Sequence, residues 1–288
     1  MSARATSPAT TIAMTGASGF LGAHVHARLV ASGHSVVRLG RRSAELPVDL
    51  VHHEPDWDRI EPPTALVHCA GIMAADGVLD SARMAVSLLA HLPSSVRRLV
   101  LVSSAYVYPP SATNVTEDEP PKPENAYGHA KLMVEHLFQG VANATGRSLV
   151  ILRPCALYGP DDPNRKAITS FVADARRGVA PTLKGQVAFQ RDYIHVLDAA
   201  RCVSMATLAE PANPMRIFNV CTGRAWSAVE LAQLIHELRP DLPFEIEPHE
   251  PEAIGYRFDP SRAARELGFQ AEIDLRSGVI SLLETAPS

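Results

Sequence analysis

The chain alternates short, almost wholly apolar runs with longer stretches in which apolar residues recur every three or four positions. The apolar runs are Thr11–Thr15, Ser35–Leu39, Ala65–Cys69, Leu99–Ser103 and Leu149–Leu152, with a weaker one at Val48–His52. Helix-patterned segments lie between them at Leu21–Ala31, Leu79–Ala90 and Ala126–Val141. Strands that are apolar throughout are those covered on both faces. Their alternation with helices predicts an α/β fold built on a doubly wound parallel sheet. The pattern changes after Pro160. A polar loop, Asp161–Arg165, leads to a helix at Ala167–Arg177, a strand at Arg216–Val220 and a helix at Ser227–Leu238 with Ser227 as its N-cap. A Pro- and Glu-rich segment, Pro240–Pro251, and a short helix at Ser261–Leu267 follow. The expected division is residues 11–160 for the main sheet and 161–288 mainly for a smaller lobe, with elements near 186–226 returning to the sheet. That lobe is expected over the carboxyl ends of the strands, the edge where open α/β sheets bind ligands.

The first strand runs directly into Gly16-Ala-Ser-Gly19-Phe-Leu-Gly22. Gly16 permits a tight turn, Gly19 lets backbone approach a pyrophosphate, and Gly22 lets the helix pack close to the sheet. The helix N-terminus then offers free N–H groups and partial positive charge to phosphates. Between a first strand and a first helix, this triplet marks a Rossmann-type dinucleotide site. Cofactor choice is read at the end of the second strand, where an acid binds the ribose 2′-hydroxyl of NAD. Gly40, Arg41 and Arg42 stand there instead. A guanidinium fork suits a 2′-phosphate, which points to NADP. NAD is the alternative, since an arginine in this loop can also stack on adenine.

Tyr127-Gly-His-Ala-Lys131 puts a phenol and an amine four residues apart, hence one turn apart on one helix face. A free tyrosine ionises near pH ~10, and a neighbouring ammonium favours the phenolate. Ser103 and Ser104 close the preceding strand, where a hydroxyl can hold a substrate oxygen beside the tyrosine. Together these read as an acid–base set: Ser104, Tyr127 and Lys131.

The residues now reached resemble a known family, the extended short-chain dehydrogenase/reductases of the NAD-dependent epimerase/dehydratase group, which work on nucleotide sugars. The likeness runs from Thr11 to about Phe269. It is carried by Thr15–Gly22, His68-Cys-Ala-Gly71, Ser103-Ser-Ala-Tyr-Val-Tyr108, Tyr127–Lys131, Arg153-Pro-Cys-Ala-Leu-Tyr-Gly-Pro160, Arg191-Asp-Tyr-Ile-His-Val196 and Asp259–Gly268. The resemblance implies that Tyr127 is the acid–base residue, that Lys131 holds the nicotinamide ribose and tunes the phenol, and that Ser104 is the catalytic hydroxyl. It implies cofactor contacts from Gly16, Ser18, Gly19, Phe20, Leu21, Gly22, Arg41, Arg42, His68, Ala70, Gly71, Ser103, Tyr127, Lys131 and Pro154. Substrate contacts are expected from Ser104, Tyr106, Lys166 and Arg191. A homodimer is also implied, built by the Leu79–Ala90 and Tyr127 helices.

The departures sharpen the reading. A sugar-nucleotide 4,6-dehydratase carries Asp-Glu after its hydroxyl residue. Ala105 and Tyr106 stand here, so no acid is placed to protonate a leaving hydroxide. Pro109 follows Tyr108 where the family often has Gly, Ser81 replaces an Asn, and Asp56 is the candidate acid near the adenine. His249, with Glu252 nearby, replaces an arginine that often grips the substrate diphosphate, leaving Arg191, Lys166 or Arg257 to take that charge.

Of 288 residues, 46% are hydrophobic, enough for a sizeable core, and the net charge of −4 advertises no nucleic-acid surface. No run reaches the ~18 apolar residues of a membrane span, and Met1–Thr10 is polar. A cytoplasmic protein is expected. Cys69, Cys155, Cys202 and Cys221 form no CxxC pair and read as small buried hydrophobes. No metal-ligand spacing and no Gly-x-Ser-x-Gly elbow is present. His24 and His26 read as surface or packing residues, His195 as structural, and Glu117-Asp118-Glu119 as a solvated loop. The expected activity is an NADPH-dependent reduction of a keto group on a nucleotide-linked (deoxy)sugar. A nucleotide-sugar 4-epimerase with retained NAD, and a non-catalytic NAD(P)-binding regulator, are the alternatives.

Overall fold

The computed structural model describes residues 10–41, 43–72, 77–163, 167–183, 187–209, 215–242 and 254–284. Its main sheet is formed by β1 (Thr11–Thr15), β2 (Ser35–Gly40), β3 (Leu46–Pro47), β4 (Ala65–His68), β5 (Arg98–Val102), β6 (Ser148–Pro154) and β9 (Met215–Val220). These seven strands lie in the order β3-β2-β1-β4-β5-β6-β9, and every pairing is parallel. The order reverses between β1 and β4, so a crevice opens at their carboxyl ends.

Helices cover both faces, which is why the central strands are apolar throughout. On one face α1 (Phe20–Ala31) packs with α5 (Val196–Leu208). They enclose a core that includes Ile12, Met14, Val25, Val67 and Val203. On the other, α2 (Val78–Ala90) packs with α3 (Ala126–Thr145) over Leu66, Leu88, Leu101 and Phe138. A second, smaller sheet pairs β8 (Gln190–His195) with β7 (Ala156–Tyr158), β10 (Ala225–Trp226) and β11 (Gly255–Tyr256). It shares a third core, around Tyr158, Phe171 and Leu234, with α4 (Ala167–Arg176), α6 (Ala228–Leu238) and α8 (Leu275–Glu284). A short α7 (Ser261–Leu267) lies against β9. Among the described residues no helix is long and apolar enough to cross a membrane.

Three local expectations differ from what is observed. Val48–His52 is not a strand. Asp49 accepts from Val51 N through its side chain at 3.1 Å and from His52 N and His53 N through its carbonyl, so the segment turns. The α5 helix lies outside the helix-patterned segments read from the sequence; it is buried on most sides, Asp198, Ser204 and Thr207 included, so polar residues do not mark a solvent face. Its start is set by His195, whose Nδ1 accepts from Leu197 N at 3.3 Å, in keeping with a structural role for that ring. Within the acidic run Asp118 and Glu119 are exposed, Asp118 being paired with Arg262 at 2.6 Å. Glu117 is buried and accepts from Asn219 N at 2.8 Å, tying the 115–119 loop to β9. That correction has a simple cause: Asn219 lies 102 positions away, beyond any local pattern. The cysteines are all free, with Cys155, Cys202 and Cys221 buried.

Beneath the crevice lies a fully buried ion pair. Arg153, at the end of β6, donates to both carboxylate oxygens of Glu135 on α3, at 3.0 and 2.6 Å. Glu135 also accepts from Ser103 Oγ at 2.5 Å, and Arg153 donates to the Tyr108 hydroxyl. Removing one partner of such a pair strands a charge in a low-dielectric interior. Glu135→Ala is therefore expected to lower folding stability by about 3–5 kcal/mol, read as a shifted urea midpoint.

Candidate functional site

The turn after β1 is built by two close approaches. Gly16 has φ +71°, and a Cβ there would stand 2.5 Å from Ala70 N in the loop after β4. A Cβ on Gly22 would stand 1.9 Å from Gly16 O, so only hydrogen fits where α1 doubles back over the turn. Gly19 is the N-cap of α1. Among the described residues no side chain caps that end, and its first turn holds no acid. The first N–H groups of α1 are left for an anion, which is what a dinucleotide pyrophosphate requires.

From this turn a cleft of about 430 Å³ extends along the carboxyl ends of β1, β4, β5 and β6. Gly16, Gly19, Phe20, Leu21, Gly22 and Gly71 line one end. Ser103, Ser104, Tyr106, Tyr127, Lys131 and Pro154 line the other. Residues far apart in sequence thus face one space.

The Tyr127 end is held from below. Asn125 caps α3 by accepting from Gly128 N at 2.9 Å. Tyr127 and Lys131 then share the face of α3 that meets β5. Lys131 is buried and donates to Val102 O at 3.0 Å, with its ammonium 5.9 Å from the centre of the Tyr127 ring. Ser104 is buried at the mouth of β5, and its Oγ accepts from Tyr106 N at 3.1 Å, which starts the short 3-10 turn Ala105–Val107.

Several expected site residues lie elsewhere. The His68 ring is packed in the core, stacked on Phe138 at 5.4 Å with Nδ1 on Thr15 Oγ1 at 2.7 Å, so it does not face the cleft. Ser103 reaches the cleft wall but spends its hydroxyl on Glu135. Ser18 is exposed on the turn and Ala70 is half-buried beside it; neither lines the cleft. Ser81 is buried and donates to Gly77 O on its own helix. Asp56 lies in a separate surface hollow with Pro55, Trp57 and His91. Arg41 is exposed at the end of β2. Arg191 stacks on Phe189 at 4.6 Å, on β8 rather than in the cleft lining. Arg257 is engaged by Gln190. Arg42, Lys166, His249 and Glu252 lie outside the described residues. The pattern missed Asn125, Cys155, Ala156 and Leu157, which also line the cleft. For Asn125 the signal was present: an Asn directly before a helix-patterned run is an N-cap.

A family model described as the NAD dependent epimerase/dehydratase family matches residues 12–221. The chain belongs to the NAD-dependent epimerase/dehydratase family. Within this family it is similar to UDP-glucose 4-epimerase of Corynebacterium glutamicum, with 28% identity over 308 aligned positions covering 92% of each chain. It is equally similar to dTDP-6-deoxy-L-talose 4-dehydrogenase (NAD(P)(+)) of Kitasatospora kifunensis, at 28% identity over 98% of this chain and 97% of that one. Among solved structures, MoeE5 in complex with UDP-glucuronic acid and NAD superposes with a TM-score of 0.81 at 26% identity, over 95% of this chain and 98% of that one. The extended short-chain fold expected from the motifs is thus the fold of the family.

Burial, then the Lys131 charge, pushes the His68 ring down to about 3. An unfolded histidine titrates near ~6.5, so between these values the unfolded chain binds the extra proton and stability is lost as pH falls. Burial pushes the Asp192 carboxyl the other way, up to about 6, so its share is lost as pH rises from the usual carboxylate range. A difference measurement separates the two. His68's share is expected to be about 2 kcal/mol between pH 7 and pH 5. It is read by comparing urea midpoints of the wild type and His68→Gln across that range.

Proposed function

We propose that the chain is an NADPH-dependent reductase of a keto group on a nucleotide-linked sugar, carbon 4 of a deoxyhexose being the reacting position. The observation that carries this reading is the end of β2, where Gly40 and Arg41 stand in place of an acid. The nearby carboxylate, Glu45, is taken by Arg38 in a bidentate pair. Among the described residues no acid pairs with Arg41, which supports its use on a 2′-phosphate. NADPH suits net reduction. The dehydrogenase relative from Kitasatospora kifunensis, named for NAD(P)(+), is consistent with that cofactor.

When bound, a nicotinamide supplies hydride to the carbonyl carbon. The chain's own residues do the rest. Ser104 and Tyr127 hold the carbonyl oxygen, and Tyr127 gives it the proton that balances the new C–H bond. Lys131, which donates to the Val102 carbonyl and lies 5.9 Å from the centre of the Tyr127 ring, is the residue we assign to the nicotinamide ribose. In the oxidative direction the proton returns to Tyr127. Ala105 and Tyr106 offer no carboxyl for expelling a hydroxide, which supports reduction over dehydration.

A second reading is a 4-epimerase that retains NAD, favoured by the UDP-glucose 4-epimerases among the relatives. The two differ in cofactor balance. The reductase consumes one NADPH per turnover of a dTDP- or UDP-linked 4-keto-6-deoxyhexose. The epimerase interconverts UDP-glucose and UDP-galactose with tightly held NAD and no net consumption.

Tyr127→Phe is expected to lower kcat roughly 10²- to 10⁴-fold while NADPH still binds in a fluorescence titration. Arg41→Asp is expected to cut the preference for NADPH over NADH by roughly 10- to 100-fold in kcat/KM, the loss of a charge-assisted contact. The exposed Leu79 and Val86 on α2 support a homodimer through α2 and α3. Light scattering is then expected to give twice the chain mass.

A further inference from the structure

Tyr106 is held at both ends yet has a free hydroxyl. Its N–H donates to Ser104 Oγ, and its carbonyl lies so close to α3 that a Cβ on Gly128 would stand 2.3 Å from it. Its ring meets Tyr256 edge-on at 4.7 Å and Tyr127 at 6.5 Å between centroids. Among the described residues its hydroxyl has no hydrogen-bond partner, although the residue lines the cleft. Burial pushes this phenol up to about 12, so at neutral pH it is a protonated donor with no acid–base role.

We propose that Tyr106 is a specificity-determining residue whose hydroxyl donates to the oxygen on the carbon next to the reacting one. The preferred substrate unit is then an α-hydroxy ketone, or a vicinal diol in the oxidative direction, rather than its deoxygenated counterpart. This rests on the reductase reading of the same cleft. Three features support it. The ring lies beside Tyr127, 6.5 Å between centroids, and both residues line the same cleft. Ser104, proposed to hold the reacting oxygen, is hydrogen-bonded to the Tyr106 backbone, so the two are fixed relative to each other. The half-buried hydroxyl is the side chain's only polar group, and with no partner among the described residues it is available to a substrate oxygen in the cleft.

The test is Tyr106→Phe, which keeps the ring and its edge-on contacts; an unchanged thermal midpoint confirms that the fold is intact. Two probes are used with NADPH: dTDP-4-keto-6-deoxyglucose, and its 3-deoxy analogue. On the first, KM is expected to rise roughly 3- to 10-fold with kcat nearly unchanged, the loss of one neutral hydrogen bond. On the second, variant and wild type are expected to behave alike. An unchanged KM on the first probe, or the same rise on both, overturns the assignment of Tyr106 while leaving the reductase reading in place. Turnover of neither probe by the wild type overturns both.

Discussion

Three side chains on one face of α3 are spaced a turn apart: Tyr127, Lys131 and Glu135. The last is the anchor. Glu135 is fully buried, bound by Arg153 from β6 and by Ser103 from the end of β5. Two charges in the interior are tolerable only with their hydrogen bonds satisfied. That demand sets the register and rotation of α3 against the two strand ends. With Glu135 in place, Lys131 reaches the Val102 carbonyl and Tyr127 comes to the cleft. The most buried part of the site thus fixes the geometry of its most exposed part.

The same economy appears on the cofactor side. Gly16 and Gly22 have no side chain because the turn, the loop after β4 and the start of α1 all occupy the space a Cβ needs. What this close packing leaves is an uncapped helix end facing the crevice where the sheet order reverses. An anion there would satisfy N–H groups that no side chain among the described residues satisfies. The smaller sheet closes the other side of the site region. Asp192 on β8 is central to that closure, accepting from Thr222 N, Thr222 Oγ1 and Gly223 N between β9 and β10.

Ser104 has two tasks in this arrangement. Its hydroxyl starts the 105–107 turn by accepting from Tyr106 N, and it is one of the polar groups in the cleft. The chain therefore couples the position of the proposed catalytic hydroxyl to that of the neighbouring phenol. Tyr106 offers no carboxyl there, so under the proposal above the position serves recognition rather than acid chemistry.

Features written in short windows were legible in the sequence alone. Strand and helix periodicity predicted the doubly wound sheet, the glycine triplet marked the tight turn between β1 and α1, and the one-turn spacing of Tyr127 and Lys131 put them on one face. Each is a pattern among residues near in sequence. Tertiary structure decided the rest. Ser103 and Glu135 are 32 positions apart, and Glu117 and Asn219 are 102 apart, so no local pattern tells a buried clamp from a solvated charge. It withdrew the His68 ring into the core, where Phe138 and Thr15 hold it, and it left Arg191 on Phe189 outside the cleft. Local chemistry names which groups can react; which of them share a space is set by packing that only the whole fold supplies.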